Sequence, residues 1–180
     1  MGRKLVGAAL TAVTGNKRPK AGKGTLLSVR DLTVAFPADG GKVRAVDGIS
    51  YDMAPGRTLG VVGESGSGKT IGALALLRLV PPPGRVVSGE VLFEGSDLMS
   101  LGARAMRGIR GDRISMIFQE PMMALNPVYA VGEQVAESLR IHQRLKRSEA
   151  RAGAVDMLDR VGIPAPAQRA RDYPHQLSGG

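Results

Sequence analysis

The sequence predicts an α/β fold, and three observations predict it. A short apolar strand runs straight into a glycine-rich loop and then into helically spaced residues, two loosely alternating runs precede that strand, and strand-rich sequence gives way to helix-rich sequence near Gln119. The 180 residues allow one globular domain of ~150 residues, or one with an extension. Three parts are expected: a basic extension at 1–24, an α/β core at 25–118, and a helical part at 119–180. With 43% hydrophobic and 23% charged residues, the chain has the means to bury a core.

From Leu26 to Phe36 apolar and polar residues alternate loosely, Ala38-Asp39-Gly40-Gly41 supplies turn chemistry, and a second alternating run extends from Val43 to Met53. Together they read as an antiparallel pair. Pro55-Gly56 makes another turn, and Leu59 to Val62 is a short apolar strand. Past the glycine-rich loop, Ile71, Leu74, Ala75, Leu77 and Arg78 keep helical spacing until Pro81-Pro82-Pro83 stops them, because proline lacks an N–H and clashes with the preceding turn. Val86 to Phe93 and Arg113 to Phe118 are expected strands. Val131 to Leu145 and Ser148 to Val161 are expected helices, the second with Ser148 as N-cap and Gly162 as terminator.

Composition excludes several classes. No cysteine is present, so a disulfide scaffold, a thiolate metal site and a Cys nucleophile are ruled out within these residues. The longest stretches without charge, Leu5 to Asn16 and Pro121 to Gly132, reach 12 residues, short of the ~20 that a membrane-spanning helix needs. The net charge of +9 is mostly a property of the extension: Arg3, Lys4, Lys17, Arg18, Lys20 and Lys23 stand there without an acid, leaving 19 basic against 16 acidic residues in the other 156. Three Phe, three Tyr and no Trp supply no interleaved aromatics for stacking on bases, so no nucleic-acid partner is expected. A solvated tail is the plain reading, with weak contact to anionic lipid or nucleic acid as its alternative. Arg3 and Lys4 ahead of Leu5 to Val13 faintly imitate a secretion signal, but no small-x-small cleavage site follows, and Val6 spoils a myristoylation start.

Gly63-Glu64-Ser65-Gly66-Ser67-Gly68-Lys69-Thr70 carries the strongest chemical signal, GxxxxGK[ST] between a strand and a helix. Glycines let the backbone curl with its N–H groups inward, and a side chain there would obstruct a phosphate. The helix that follows offers unpaired N–H groups, Lys69 can reach β and γ phosphates, and Thr70 offers a hydroxyl to Mg2+. The alternative is a flexible Gly/Ser turn, against which the chain's own composition gives only about 0.01 accidental matches. The motif alone leaves kinases, GTPases, motor ATPases and transporters open.

Two later segments narrow the class. Phe118-Gln119-Glu120-Pro121 lies 50 residues beyond Lys69 at a predicted strand end, and Leu177-Ser178-Gly179-Gly180 closes the sequence. Behind a phosphate loop, they resemble the glutamine loop and the opening of the LSGGQ signature of ATP-binding-cassette (ABC) ATPases. Met106 to Gly111, Ile117 to Pro127 and Tyr173 to Gly180 further resemble the dipeptide/oligopeptide (and nickel) importer branch, so that the likeness covers roughly residues 26–180.

This resemblance implies a P-loop NTPase with a RecA-like core, an antiparallel β subdomain and the start of a helical subdomain. It implies ATP and Mg2+ as cofactors, bound by residues 63–70, with Lys69 and Gln119 as catalytic residues, Thr70 and Gln119 on Mg2+, and Phe36 stacking on adenine; the alternative for Phe36 is an ordinary strand-end core residue. Leu177, Ser178, Gly179 and Gly180 would face the nucleotide of a second ATPase subunit paired head to tail. Two transmembrane permease subunits and an extracytoplasmic solute-binding protein are the other implied partners, which sets the subunit peripherally on the cytoplasmic face of the inner membrane. The implied activity is ATP hydrolysis coupled to uptake of di- or oligopeptides. Nickel or another small solute, a soluble nucleic-acid- or ribosome-associated cassette, and an inactive fragment are the alternatives.

The sequence also departs from the pattern. The fifth signature residue, the apolar strand ending in an Mg2+-holding Asp, the adjoining Glu base and the switch His do not occur within these residues. His142 and His175 read as exposed helix or loop residues, and Glu64, Glu120 and Asp172 have no claim to the base's role. These residues alone are therefore expected to be an inactive front part of a longer subunit.

Overall fold

The computed structural model describes residues 24–118 and 124–177. They form two compact units that divide between Met106 and Arg107. The first unit is built on an antiparallel sheet of β1 (Leu27–Ala38), β2 (Gly41–Met53), β3 (Arg85–Phe93) and β4 (Ser96–Asp97), in the order β2-β1-β3-β4. The Asp39-Gly40 turn makes the expected antiparallel pair, with Leu27 opposite Met53 and Phe36 opposite Val43. β1 is central and carries the core: Val29, Leu32 and Val34 are fully buried with Val46 of β2 and Val91 of β3. Each such side chain contributes roughly 1.5–3 kcal/mol by leaving water.

Helix α1 (Lys69–Leu76) follows the glycine-rich loop, buries Gly72 and Ala75, and ends sooner than its spacing predicted. Arg78 takes a left-handed φ of 53°, and the N–H groups of Arg78 and Leu79 turn back to the carbonyls of Ala75 and Leu74. A non-glycine residue adopts that conformation at a cost, which the Arg78 guanidinium offsets by donating to the carbonyls of Leu98 and Leu101. The terminator is thus a side chain reaching across the unit, ahead of the prolines.

Two predicted strands do not form. Leu59–Val62 pairs with no strand among the described residues, and Leu59, Val61 and Val62 are 42%, 48% and 89% exposed. Arg113–Phe118 contributes only an isolated bridge from Ile114 to Arg110, with Ile117 exposed. Among the described residues neither run extends a ladder with a neighbouring strand, and a strand exists only where its N–H and C=O groups find partners in register.

Helix α2 (Ala103–Ile109) spans the division and buries Met106. The second unit centres on a packed helix pair, α3 (Val131–Gln143) and α4 (Arg147–Arg160), with the short α5 (Pro166–Arg169) and a 3-10 turn at Pro174–Gln176 beyond them. Ala136 and Leu139 of α3 bury against Ala150 and Ala154 of α4. Their small side chains let the two helices approach closely. Helix α4 starts at Arg147 with Lys146 as N-cap, two residues ahead of the predicted Ser148: the Glu149 carboxylate accepts from the Lys146 N–H at 3.0 Å and so draws the helix start back. Gly162 does terminate α4, at φ 80°, with its N–H on Asp159 O and the Ile163 N–H on Leu158 O.

Candidate functional site

The glycine-rich loop occupies residues 63–68 and delivers its last residue, Gly68, as the N-cap of α1 with φ 90°. A tight turn inside it is closed by the Ser67 N–H on Glu64 O at 3.1 Å, and Gly66 also takes a left-handed φ. Gly68 lies against the backbone of β2, where an added Cβ would overlap the Ala45 carbonyl oxygen. Glycine is therefore required twice at this position, for its dihedral and for its lack of a side chain. Ser67 is buried, and Gly63, Glu64, Ser65, Gly66 and Thr70 are exposed.

Lys69 turns back over this curl. Its ammonium donates to Gly63 O at 2.7 Å, Glu64 O at 2.6 Å and Ser67 Oγ at 3.2 Å, which sets one full positive charge over the loop. The first turn of α1 contains no acid, so nothing in it opposes the helix's positive end. Thr70, next along the helix, is exposed. Curled backbone, ammonium and hydroxyl are the donor set that a polyphosphate and its divalent cation require. Phe36 lies near the end of β1 opposite Val43, two positions along β2 from Ala45, and its ring edge packs against Gly84.

In the second unit Leu177 is half-buried, and its N–H meets Pro174 O at 3.2 Å. Gln119, Ser178, Gly179 and Gly180 lie outside the described residues. His142 lies against Gly111, and the ring of His175 stacks on Tyr173 at 5.9 Å. Among the described residues no cluster of three or more His, Cys, Asp or Glu side chains could hold a metal, and no helix is long and apolar enough to cross a membrane. Sequence reasoning did not single out Ala45, whose contribution is a carbonyl that any residue would carry.

The family model described as ABC transporter matches residues 46–180, three quarters of the sequence and all of the loop just described. The chain belongs to the ABC transporter family. It is 46% identical over 156 residues to the oligopeptide transport ATP-binding protein OppD of Bacillus subtilis, covering 86% of this chain and 44% of that protein. It is 47% identical to the dipeptide transport ATP-binding protein DppD of the same organism, covering 86% and 47%. The chain thus spans less than half the length of these relatives. Among solved structures, the ATP-binding cassette MJ0796, a dimer in a post-hydrolysis state bound to ADP and Pi, superposes with a TM-score of 0.73 at 23% identity, covering 85% of this chain and 63% of that one. That likeness shows the fold: the mixed α/β architecture of ABC cassettes with its antiparallel sheet.

Proposed function

We propose that this chain is the nucleotide-binding portion of an ABC importer subunit that uses ATP to drive uptake of di- or oligopeptides. The single observation that carries the reading is the loop at 63–70, whose last glycine is pressed on the Ala45 carbonyl and whose Lys69 ammonium stands over the curl. The oligopeptide and dipeptide transport proteins among the relatives support the choice of solute.

ATP, when bound, supplies the free energy of phosphate-bond cleavage, with Mg2+ neutralising charge on its phosphates. The residues that would hold it are Gly63 to Thr70, with Lys69 exchanging its carbonyl partners for phosphate oxygens, Thr70 giving its hydroxyl to Mg2+ and Phe36 meeting the base. Gln119 would orient the cation and the attacking water. Leu177 to Gly180 would serve the nucleotide held by a second ATPase subunit, whose pairing excludes water from between the two. Two permease subunits and an extracytoplasmic solute-binding protein complete the assembly, with this subunit peripheral on the cytoplasmic side of the membrane. Peptide recognition belongs to those partners.

Titration calorimetry with Mg2+ and ATP tests the reading. Lys69→Ala should weaken ATP binding roughly 10- to 100-fold, the ~1.5–3 kcal/mol of hydrogen bonds to a charged group. Absence of magnesium-dependent heat from the unaltered subunit, or undiminished binding by the variant, would contradict it.

A further inference from the structure

The first turn of α3 holds two other parts of the second unit at once. On one side, the Gln134 side chain clips the turn at 126–129. The Asn126 N–H donates to Gln134 Oε1 at 2.8 Å, and Gln134 Nε2 donates to Asn126 O and to Tyr129 O, both at 2.9 Å. On the other side, the first free N–H groups of the helix are capped by main chain from beyond α5. Val131 N–H donates to Asp172 O and Gly132 N–H to Ala170 O, each at 2.9 Å. The N-cap residue, Ala130, has no side chain for this task, so the 170–172 segment takes its place. Gly132 permits the approach: a Cβ there would stand 2.6 Å from Ala170 O and 2.7 Å from Ala170 Cβ.

These two clamped segments are the continuations of the two motifs that lie apart in the sequence. The 126–129 turn follows the Gln119 segment, and residues 170–172 lead into Leu177. The turn also presents Val128 and Tyr129 at 69% and 59% exposure, an apolar pair on backbone fixed by three hydrogen bonds. Only a neutral amide provides one acceptor and two donors in a side chain of this length.

We propose that the turn Val131–Gln134 is a junction, with Gln134 and Gly132 as positioning residues, that keeps the run after the glutamine loop in fixed relation to the approach to the signature. The inference rests on the importer reading: the junction makes solute movement follow ATP turnover, because a shift of either segment must carry the other with it. Neither residue touches nucleotide in this scheme.

The test uses the full-length subunit assembled with its membrane partners in liposomes, and measures ATP turnover and uptake of a labelled dipeptide, a labelled oligopeptide and Ni2+ in parallel. Gln134→Met keeps the length and removes all three hydrogen bonds. It should lower solute moved per ATP about tenfold, a typical strength of coupling between sites, while ATP turnover stays near the unaltered level. Gly132→Ala pushes the 170–172 segment away and should lower ATP turnover as well. Should Gln134→Met fail to fold, Gln134→Glu, which keeps the acceptor and loses both donors, must also lower solute moved per ATP. An unchanged ratio in the foldable Gln134 variant overturns the junction while leaving the importer reading intact; an unaltered assembly that moves none of the three solutes ends both.

Discussion

β1 and the segment Leu59–Val62 are both apolar runs bounded by turn residues, yet only one of them is a strand. β1 lies between β2 and β3 with Leu32 and Val34 fully buried, whereas Val62 is 89% exposed. The difference is in the distance to a partner. β1 reaches β2 through a two-residue turn, and an antiparallel neighbour of that kind is specified by local sequence. Leu59–Val62 has no such hairpin partner beside it in the sequence, and its apolar character says only that it can be covered. Arg113–Phe118 repeats the lesson in the second unit.

The largest expected effect separates the two runs directly. Leu32→Ala should cost about 2–5 kcal/mol in denaturant unfolding, because it leaves a cavity in the packed sheet. Val62→Ala should change the same measurement by less than ~0.5 kcal/mol. Equal losses would break the comparison. A smaller effect concerns how the segment leading into the loop takes its place beside the sheet. With no strand pairing at 59–62 among the described residues, the Gly68 contact on Ala45 and the packing of Gly72 against Val46 and Ile49 tie the loop to β2. Gly68→Ala should therefore cost roughly 1–3 kcal/mol of backbone strain and weaken ATP binding, as read by calorimetry on the folded variant.

The smallest effect belongs to the helical unit, which is fastened partly by charge. Arg151 of α4 hydrogen-bonds the Glu133 carboxylate of α3 and holds it below the usual glutamate range. A depressed carboxylate stabilises the fold above its unfolded value of ~4.3 and loses that contribution as pH falls through the folded value. The pair is exposed to solvent, so Glu133→Gln should remove no more than about 1 kcal/mol at neutral pH and nothing in strong acid. Thermal unfolding of both proteins from neutral pH downward should show the two curves converging.

Much of this was legible in the residues themselves. The Asp39-Gly40 turn announced the β1–β2 pair, the proximity of GxxxxGK[ST] to helical spacing announced α1, and Gly162 announced the end of α4. What escaped was decided at longer range. Arg78 ends α1 because carbonyls at Leu98 and Leu101 receive its guanidinium; the one local miss is at α4, where Glu149 draws the N-cap back to Lys146. In the candidate site, Lys69 and Thr70 were marked by their spacing, while the backing of Gly68 by Ala45 was not, since a carbonyl leaves no mark in the sequence. Gln134 and Gly132 escaped for the same reason: their partners are main-chain atoms at Asn126, Tyr129 and Ala170.

Gly68 also bears on how genetic variation in this chain should be interpreted. A screen that scores survival alone will find position 68 intolerant and credit the intolerance to lost ligand recognition, when the first obstacle any replacement meets is a neighbouring strand. Sorting such variants by folded yield before scoring them would separate a broken pedestal from a broken grip.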